Sequence, residues 1–293
     1  MTVDLCGIEL RHPVLNGSGT FDAIAARRAF GEELLERFPF SAFVSKTITP
    51  EPRTGNPPPR IWEEPGGMVN SIGLPGKGLD GFLREDLPRL AELPVPLIVS
   101  VMATSRDRFG RLVEAAAAPD EIAALELNVS CPNVESGLVV GESPEEAEAL
   151  LAFVRPLTEK PLIVKLTPNV DPVPVGLAAA RGGADALSLI NTLRATPADP
   201  ETGEPWLGAG SGGLSGPAVR ATALEQVGAV AGAVEIPVVG MGGIETGRDA
   251  AGLLEAGATA VAVGTESFRD PLAGARIAAE LADHGANFLS EIR

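Results

Sequence analysis

Short apolar runs recur along the chain, and the stretches between them carry apolar residues at helical spacing. The runs fall at Val14-Leu15-Asn16, 42–47, 96–101, 124–129, 161–166, 185–190, 236–240 and 259–263. The intervening stretches predict helices at 23–38, 105–117, 144–155, 171–181, 217–232, 246–256 and 271–283. Pro94, Pro161 and Pro237 stand just before strands, where a missing amide is tolerated. Alternating strands and helices imply a parallel sheet. Eight such units fit a (β/α)8 barrel, with a doubly wound open sheet as the alternative. Residues 3–10 alternate around Gly7 and predict a small N-terminal hairpin, ended by His12 and Pro13. His12 stands alone and reads as a turn residue. Residues 48–66 are rich in proline without periodicity, so long loops are expected over the C-terminal face. No low-complexity linker interrupts the pattern, and residues 1–293 read as one domain.

The polar residues that break this pattern gather at predicted strand ends. There, on a parallel barrel, ligands bind. Leu125 to Asn133 reads L-E-L-N-V-S-C-P-N, and places Asn128, Ser130, Cys131 and Asn133 where the strand stops. Cys131 is either a small buried hydrophobe or the chain's one candidate for a reactive sulfur. Lys46 and Lys165 each close an apolar run. A buried ammonium needs compensation, so each is either a structural ion pair or aimed at an electron-rich ligand. Glu126 shares the parity of Asn128 and is a candidate buried counter-charge beneath the site. Asn70 to Leu74, then Asn191 and Thr192, add amides, hydroxyls and turn backbone. Gly242-Gly243 and Gly264-Thr265 end the last two strands. They are either turn glycines or a backbone cradle for a phosphate. Gly17-Ser18-Gly19 lets a ligand approach the backbone closely, but lacks the third glycine of a dinucleotide fingerprint. Together these ends suit a phosphorylated cofactor beside a small planar substrate rich in N–H and C=O groups.

Composition narrows the partners. Of 293 residues, 45% are apolar, enough for a sizeable core. The formal charge of −16 opposes nucleic-acid binding, which needs basic patches. Two cysteines, Cys6 and Cys131, stand far apart and cannot by themselves ligate an iron–sulfur cluster; they fit a reducing cytoplasm. No apolar run is long enough for a membrane span, and the start shows no secretory pattern.

The motifs, taken in order, resemble class 1 dihydroorotate dehydrogenases. They are K-T at 46–47, N-S-I-G-L-P at 70–75, L-N-V-S-C-P-N at 127–133, V-K-L at 164–166, I-N-T at 190–192, G-L-S-G at 213–216, G-G-I at 242–244 and G-T at 264–265. The resemblance covers essentially the whole chain. Cys131 matches class 1, whereas membrane-bound class 2 enzymes carry serine there. Within class 1, I-N-T-L at 190–193 looks more like the NAD-linked type 1B catalytic subunit than the fumarate-linked type 1A.

The resemblance implies oxidation of dihydroorotate to orotate in pyrimidine biosynthesis, with FMN as cofactor. It assigns FMN contacts to Ser18, Lys46, Thr47, Asn128, Lys165, Ile190, Gly216, Gly242, Gly243, Gly264 and Thr265. Substrate contacts fall to Lys46, Asn70, Ser71, Ile72, Gly73, Leu74, Asn128, Asn133, Asn191 and Thr192. Cys131 would take a proton from C5 while hydride leaves C6 for flavin N5, and residues 134–142 would form a lid. Ser100 departs from the family, in which many members carry asparagine near the flavin. A homodimer is implied, with an electron-transfer subunit holding FAD and a [2Fe–2S] cluster. Other readings are another FMN barrel acting on pyrimidines, such as a dihydropyrimidine dehydrogenase-like protein or a tRNA dihydrouridine synthase, and a non-catalytic binding barrel. The charge opposes the tRNA enzyme, and the retained Cys131, lysines and asparagines oppose the binding barrel.

Overall fold

The computed structural model of the chain describes residues 2–130 and 139–291. Eight strands form one parallel sheet: β1 Val14–Asn16, β2 Phe43–Val44, β3 Leu97–Val101, β4 Ile122–Asn128, β5 Leu162–Lys165, β6 Ala186–Leu189, β7 Val238–Met241 and β8 Ala260–Val263. The order is β1-β8-β7-β6-β5-β4-β3-β2. Each strand neighbours its sequence neighbour, and the first pairs with the last, so the sheet is a barrel and not an open doubly wound sheet.

Closure between β1 and β2 rests on side chains. Both strands are too short for a ladder. Asn16 Nδ2 donates to the Val44 carbonyl at 2.8 Å, and the Val44 amide donates to Asn16 Oδ1 at 2.8 Å. The Ser41 amide and hydroxyl both donate to the Val14 carbonyl at 3.0 Å. Asn16 is wholly buried, and its carboxamide supplies the donor and acceptor that a longer strand would have supplied. Phe21, Phe38, Phe40 and Phe43 pack edge-to-face beside this seam.

Alternation along the strands separates two apolar layers. Leu15, Val44, Ile98, Ala124, Ile163, Ala186, Val239, Ala260 and Ala262 point inward. The alanines leave room at one end, which the hairpin Val3–Leu5/Ile8–Leu10 fills with Leu5 and Leu10, both fully buried. Burying such a side chain stabilises by about 2 kcal/mol. The outward set, including Leu125, Leu127, Val164, Leu187 and Val261, meets the helices. Helix Arg106–Ala117 shows how: Ser105 caps it, and Phe109, Leu112, Val113 and Ala116 line its buried face at three- and four-residue spacing. Helix Gly247–Glu255 begins with a reciprocal Thr246–Asp249 capping box.

Some elements differ from the pattern. The helix expected over 23–38 breaks into Ala23–Phe30 and Glu33–Glu36 at Gly31, which adopts φ 70°. The last helix runs Ala273–Glu291. A four-stranded antiparallel sheet, Leu193–Ala195, Gly212–Ser215, Gly67–Asn70 and Ile61–Glu64, was not foreseen. His12 serves the turn: its Nδ1 accepts from the Val14 amide, and burial followed by the Arg11 charge pushes its pKa down to about 4, so the ring is neutral. No helix among the described residues is long and apolar enough to cross a membrane.

Asn16→Ala should destabilise the fold by about 3 kcal/mol, because it strips partners from the buried N–H and C=O of Val44. Urea denaturation measures this; a loss below about 1 kcal/mol would show that the Ser41–Val14 bonds and packing hold the seam without Asn16.

Candidate active site

A cavity of about 430 Å³ opens at the carboxyl ends of the strands, between the barrel and the antiparallel sheet. All eleven residues expected to touch the cofactor line it: Ser18, Lys46, Thr47, Asn128, Lys165, Ile190, Gly216, Gly242, Gly243, Gly264 and Thr265. Of the residues expected to touch substrate, Lys46, Asn70, Ile72, Leu74, Asn128, Asn191 and Thr192 line it too. Ser71 and Gly73 turn elsewhere. Ser71 accepts from Asn56 at 2.8 Å, and Gly73 packs so tightly on Asn56 that a Cβ would lie 2.5 Å from its amide. Cys131 and Asn133 lie outside the described residues, as does most of the segment expected to form a lid. At its far end the Gly141 amide donates to the Val129 carbonyl.

One end of the cavity is backbone. Gly242 and Gly243 follow β7 with φ of 132° and 72°, where a side chain would be strained. A Cβ on Gly242 would sit 2.6 Å from Ala223, and one on Gly243 would sit 2.8 Å from Arg220. The amides of Gly242, Gly243, Gly264 and Thr265 are bonded to no backbone carbonyl of the described residues. Four free N–H groups on one rim, with glycine at three of the positions, match the needs of a phosphate. Arg220 fixes this loop by donating to the Gly243 carbonyl at 2.7 Å while pairing with Glu245 and Asp249. Thr265 donates to Ser215 at 2.8 Å, joining the rim to the antiparallel sheet. Arg220 escaped the sequence reading, and Ser215 entered it only as part of G-L-S-G, with no role assigned. Their contacts at the rim depend on tertiary placement, which a motif does not show.

The other end is side chains. Asn191 Nδ2 donates to Ser130 Oγ at 3.1 Å, and the Ser130 amide donates to Asn128 Oδ1 at 3.4 Å. Lys165, on β5, is 8% exposed and reaches the cavity from its floor. Glu126 is buried below, as its parity implied. It accepts from Ser188 at 3.1 Å and forms no ion pair with Lys165, and its Oε1 has no hydrogen-bond partner. Lys46 lies open to the cavity mouth. Surrounding protein lowers its pKa; Asp22 opposes this and Arg60 adds to it. Ser100 is wholly buried, does not line the cavity, and bonds Thr47 at 2.9 Å. Cys6, at the opposite end of the barrel, donates to the Asp185 carbonyl. Its pKa is pushed up to about 12 by burial, then by Asp185 and Asp4, so it stays a thiol. No cluster of three or more His, Cys, Asp or Glu able to hold a metal occurs among the described residues.

Comparison with known proteins gives a consistent picture. The sequence model of the dihydroorotate dehydrogenase family matches residues 1–284. The chain is 48% identical over 284 residues to the dihydroorotate dehydrogenase B (NAD(+)) catalytic subunit of Desulforudis audaxviator, covering 95% of this chain and 90% of that protein. It is 45% identical over 301 residues to the protein of the same description from Geobacter sulfurreducens, covering 100% and 96%. Among solved structures, the dihydroorotate dehydrogenase of Eimeria tenella in complex with ferulenol superimposes with a TM-score of 0.78 at 23% identity. That match covers 98% of this chain and 85% of the other, and it shows the shared fold.

The antiparallel sheet also packs close to the glycine rim through a bare backbone. Gly67 adopts φ 154°, and a Cβ there would lie 1.9 Å from the Ser215 carbonyl oxygen. Gly67→Ala should therefore push Ser215 and Gly216 away from Thr265, lowering the melting temperature by several degrees through a penalty of about 2 kcal/mol. An unchanged melt would show that this contact gives way freely.

Proposed function

The chain belongs to the dihydroorotate dehydrogenase family, and from that premise we propose that it is the FMN-bearing catalytic subunit of an NAD-linked dihydroorotate dehydrogenase. The observation that carries the reading is one cavity with a backbone anion cradle at one end and lysine and asparagine side chains at the other. Its relatives carry the description of an NAD(+)-type catalytic subunit, which favours this reading over a fumarate-linked enzyme.

FMN, when bound, accepts the hydride released from C6 of dihydroorotate. The free amides of Gly242, Gly243, Gly264 and Thr265 would hold its phosphate, and Ser18, Thr47, Ile190 and Gly216 would flank the rest. Lys165 supplies a positive charge at the floor, which offsets negative charge arriving with the electrons. Asn70, Asn128, Asn133, Asn191 and Thr192 offer matched donors and acceptors to the pyrimidine, with the backbone of 71–74 beside them. Lys46 attracts the substrate carboxylate. The Cys131 Sγ takes the proton from C5. Cys6, held as a thiol at the far end of the barrel, is no rival for that role. The chain's two cysteines cannot ligate a cluster, so electrons are expected to leave through a partner subunit with FAD and a [2Fe–2S] centre. The active form is read as a homodimer of this subunit with that partner, working in the cytoplasm.

The test is anaerobic. The apoprotein titrated with FMN should bind it in equal proportion and turn yellow, and dihydroorotate should then bleach it rapidly. NAD added to the reduced chain alone should be reduced slowly. Cys131→Ala should bind FMN normally and be bleached about 10²–10⁴-fold more slowly. Failure to take up FMN, or wild-type bleaching by Cys131→Ala, would overturn the assignment.

Orotate affinity should also depend on pH. The carboxylate needs Lys46 protonated, so affinity is full at neutral pH. It should fall as pH rises through a value below the ordinary lysine range. Titration of the FMN-loaded protein between pH 7 and 10.5 measures this, and Lys46→Ala should flatten the profile. Wild-type affinity constant to pH 10.5 would remove Lys46 from the site.

A further inference from the structure

Three hydroxyl groups, of Ser18, Thr47 and Ser100 on or just beyond β1, β2 and β3, touch in a row. Ser18 Oγ donates to the Ser45 carbonyl at 2.8 Å and lies 3.2 Å from Thr47 Oγ1. Thr47 Oγ1 lies 2.9 Å from Ser100 Oγ. Ser45 Oγ donates to the Lys46 carbonyl and accepts from the Ser100 amide, both at 3.1 Å. Ser45, Thr47 and Ser100 are buried, while Ser18 and Thr47 line the cavity.

A hydroxyl carries one proton. A carbonyl cannot donate, so the Ser18 proton is spent on Ser45. Thr47 must therefore donate to Ser18, and Ser100 must donate to Thr47. The row has one direction, ending on the Ser45 carbonyl, and both cavity-facing hydroxyls have only lone pairs left.

We propose that this one-way relay makes the Ser18–Thr47 wall an acceptor surface that favours the reduced flavin, its direction set by the Ser45 carbonyl. The inference rests on the FMN reading above. Thr47, which that reading sets beside the cofactor, follows Lys46, which it gives to the substrate, so the wall stands where the two meet. The ring nitrogen that exchanges hydride with substrate is a bare acceptor when oxidised and an N–H donor when reduced. A wall of acceptors bonds the second and not the first.

The relay direction ranks three variants, each tested as the FMN-loaded protein. Ser18→Ala removes the acceptor of the Thr47 proton, which then turns to the cofactor. The ratio of reduced to oxidised flavin at fixed potential should fall about tenfold, which for two electrons is about 30 mV. The ¹⁵N resonance of the hydride-accepting nitrogen should move in oxidised, ¹⁵N-labelled FMN. Ser100→Ala leaves Thr47 donating to Ser18 and should shift both readings far less. Thr47→Val should lower the potential without moving that oxidised resonance. A larger effect from Ser100→Ala than from Ser18→Ala would mean the relay runs the other way and would overturn the proposal. So would a potential unmoved by both Ser18→Ala and Thr47→Val. FMN uptake by the wild-type protein is read first, so a failure of the cofactor assignment is seen separately from a failure of the relay.

Discussion

A barrel of eight parallel strands has to close, and this one closes on the Asn16 carboxamide, with the Ser41 amide and hydroxyl on the Val14 carbonyl beside it. β1 and β2 together contribute five residues to the sheet, too few for a ladder of their own. Asn16 stands in for the missing backbone with a donor and an acceptor aimed at Val44. The choice of side chain is constrained. Aspartate at neutral pH could accept but not donate, and leucine could do neither. The segments just beyond the two strands depend on this seam. Gly17 to Thr20 and Ser45 to Thr47 leave the barrel side by side because Asn16 and Val44 are tied. Without that tie, Ser18 would not reach the Ser45 carbonyl.

The seam also explains why chemistry collects at one end. The hairpin with Leu5 and Leu10 seals the amino end of the barrel, and alanines at β4, β6 and β8 make room for it. Polar groups therefore have an outlet only at the carboxyl end, where Lys165, Asn128 and Thr47 meet the cavity. Glu126 is the exception below that level. Its carboxylate is bonded to Ser188, which stands two strands away, across the strand that carries Lys165. The expected counter-charge is thus a hydrogen-bonded strut, sharing the inner wall with Lys165 without pairing to it.

The fold was legible because period and parity are local. Each barrel strand fell within a few residues of its expected position, and Glu126, Asn128 and Lys165 share the inward face that their spacing implied. The antiparallel sheet was not legible, for a physical reason. Gly212–Ser215 holds two glycines and is half-buried throughout, and Ile61–Glu64 alternates exposed and half-buried residues near a proline-rich loop. The glycines of the first serve close approach: a Cβ on Gly213 would lie 1.9 Å from Thr192 Oγ1. Such residues weaken the strand signal where the backbone needs it least decorated. At the site, side-chain types at strand ends could be read, but their partners could not. That Ser71 would turn to Asn56, or Ser100 to Thr47, depends on neighbours remote in sequence.

Charge is handled differently at the two ends of the cavity. Around the glycine rim every nearby guanidinium is engaged. Arg220 is shared between Glu245 and Asp249, and Arg269 is near Glu245 and Glu63. Half-exposed pairs of this kind add little stability. They do hold Arg220 against the Gly243 carbonyl, which fixes the loop and leaves its amide free. An anion there meets neutral N–H groups on a fixed frame, with the arginine charge already offset. At the opposite end Lys46 and Lys165 keep their charge unshared by any ion pair among the described residues. In a chain of net charge −16, two cations free of ion pairs thus stand where its proposed chemistry delivers electrons. The phosphate is left to backbone geometry, so the strength of the anchor does not compete with the field felt by the reacting ring.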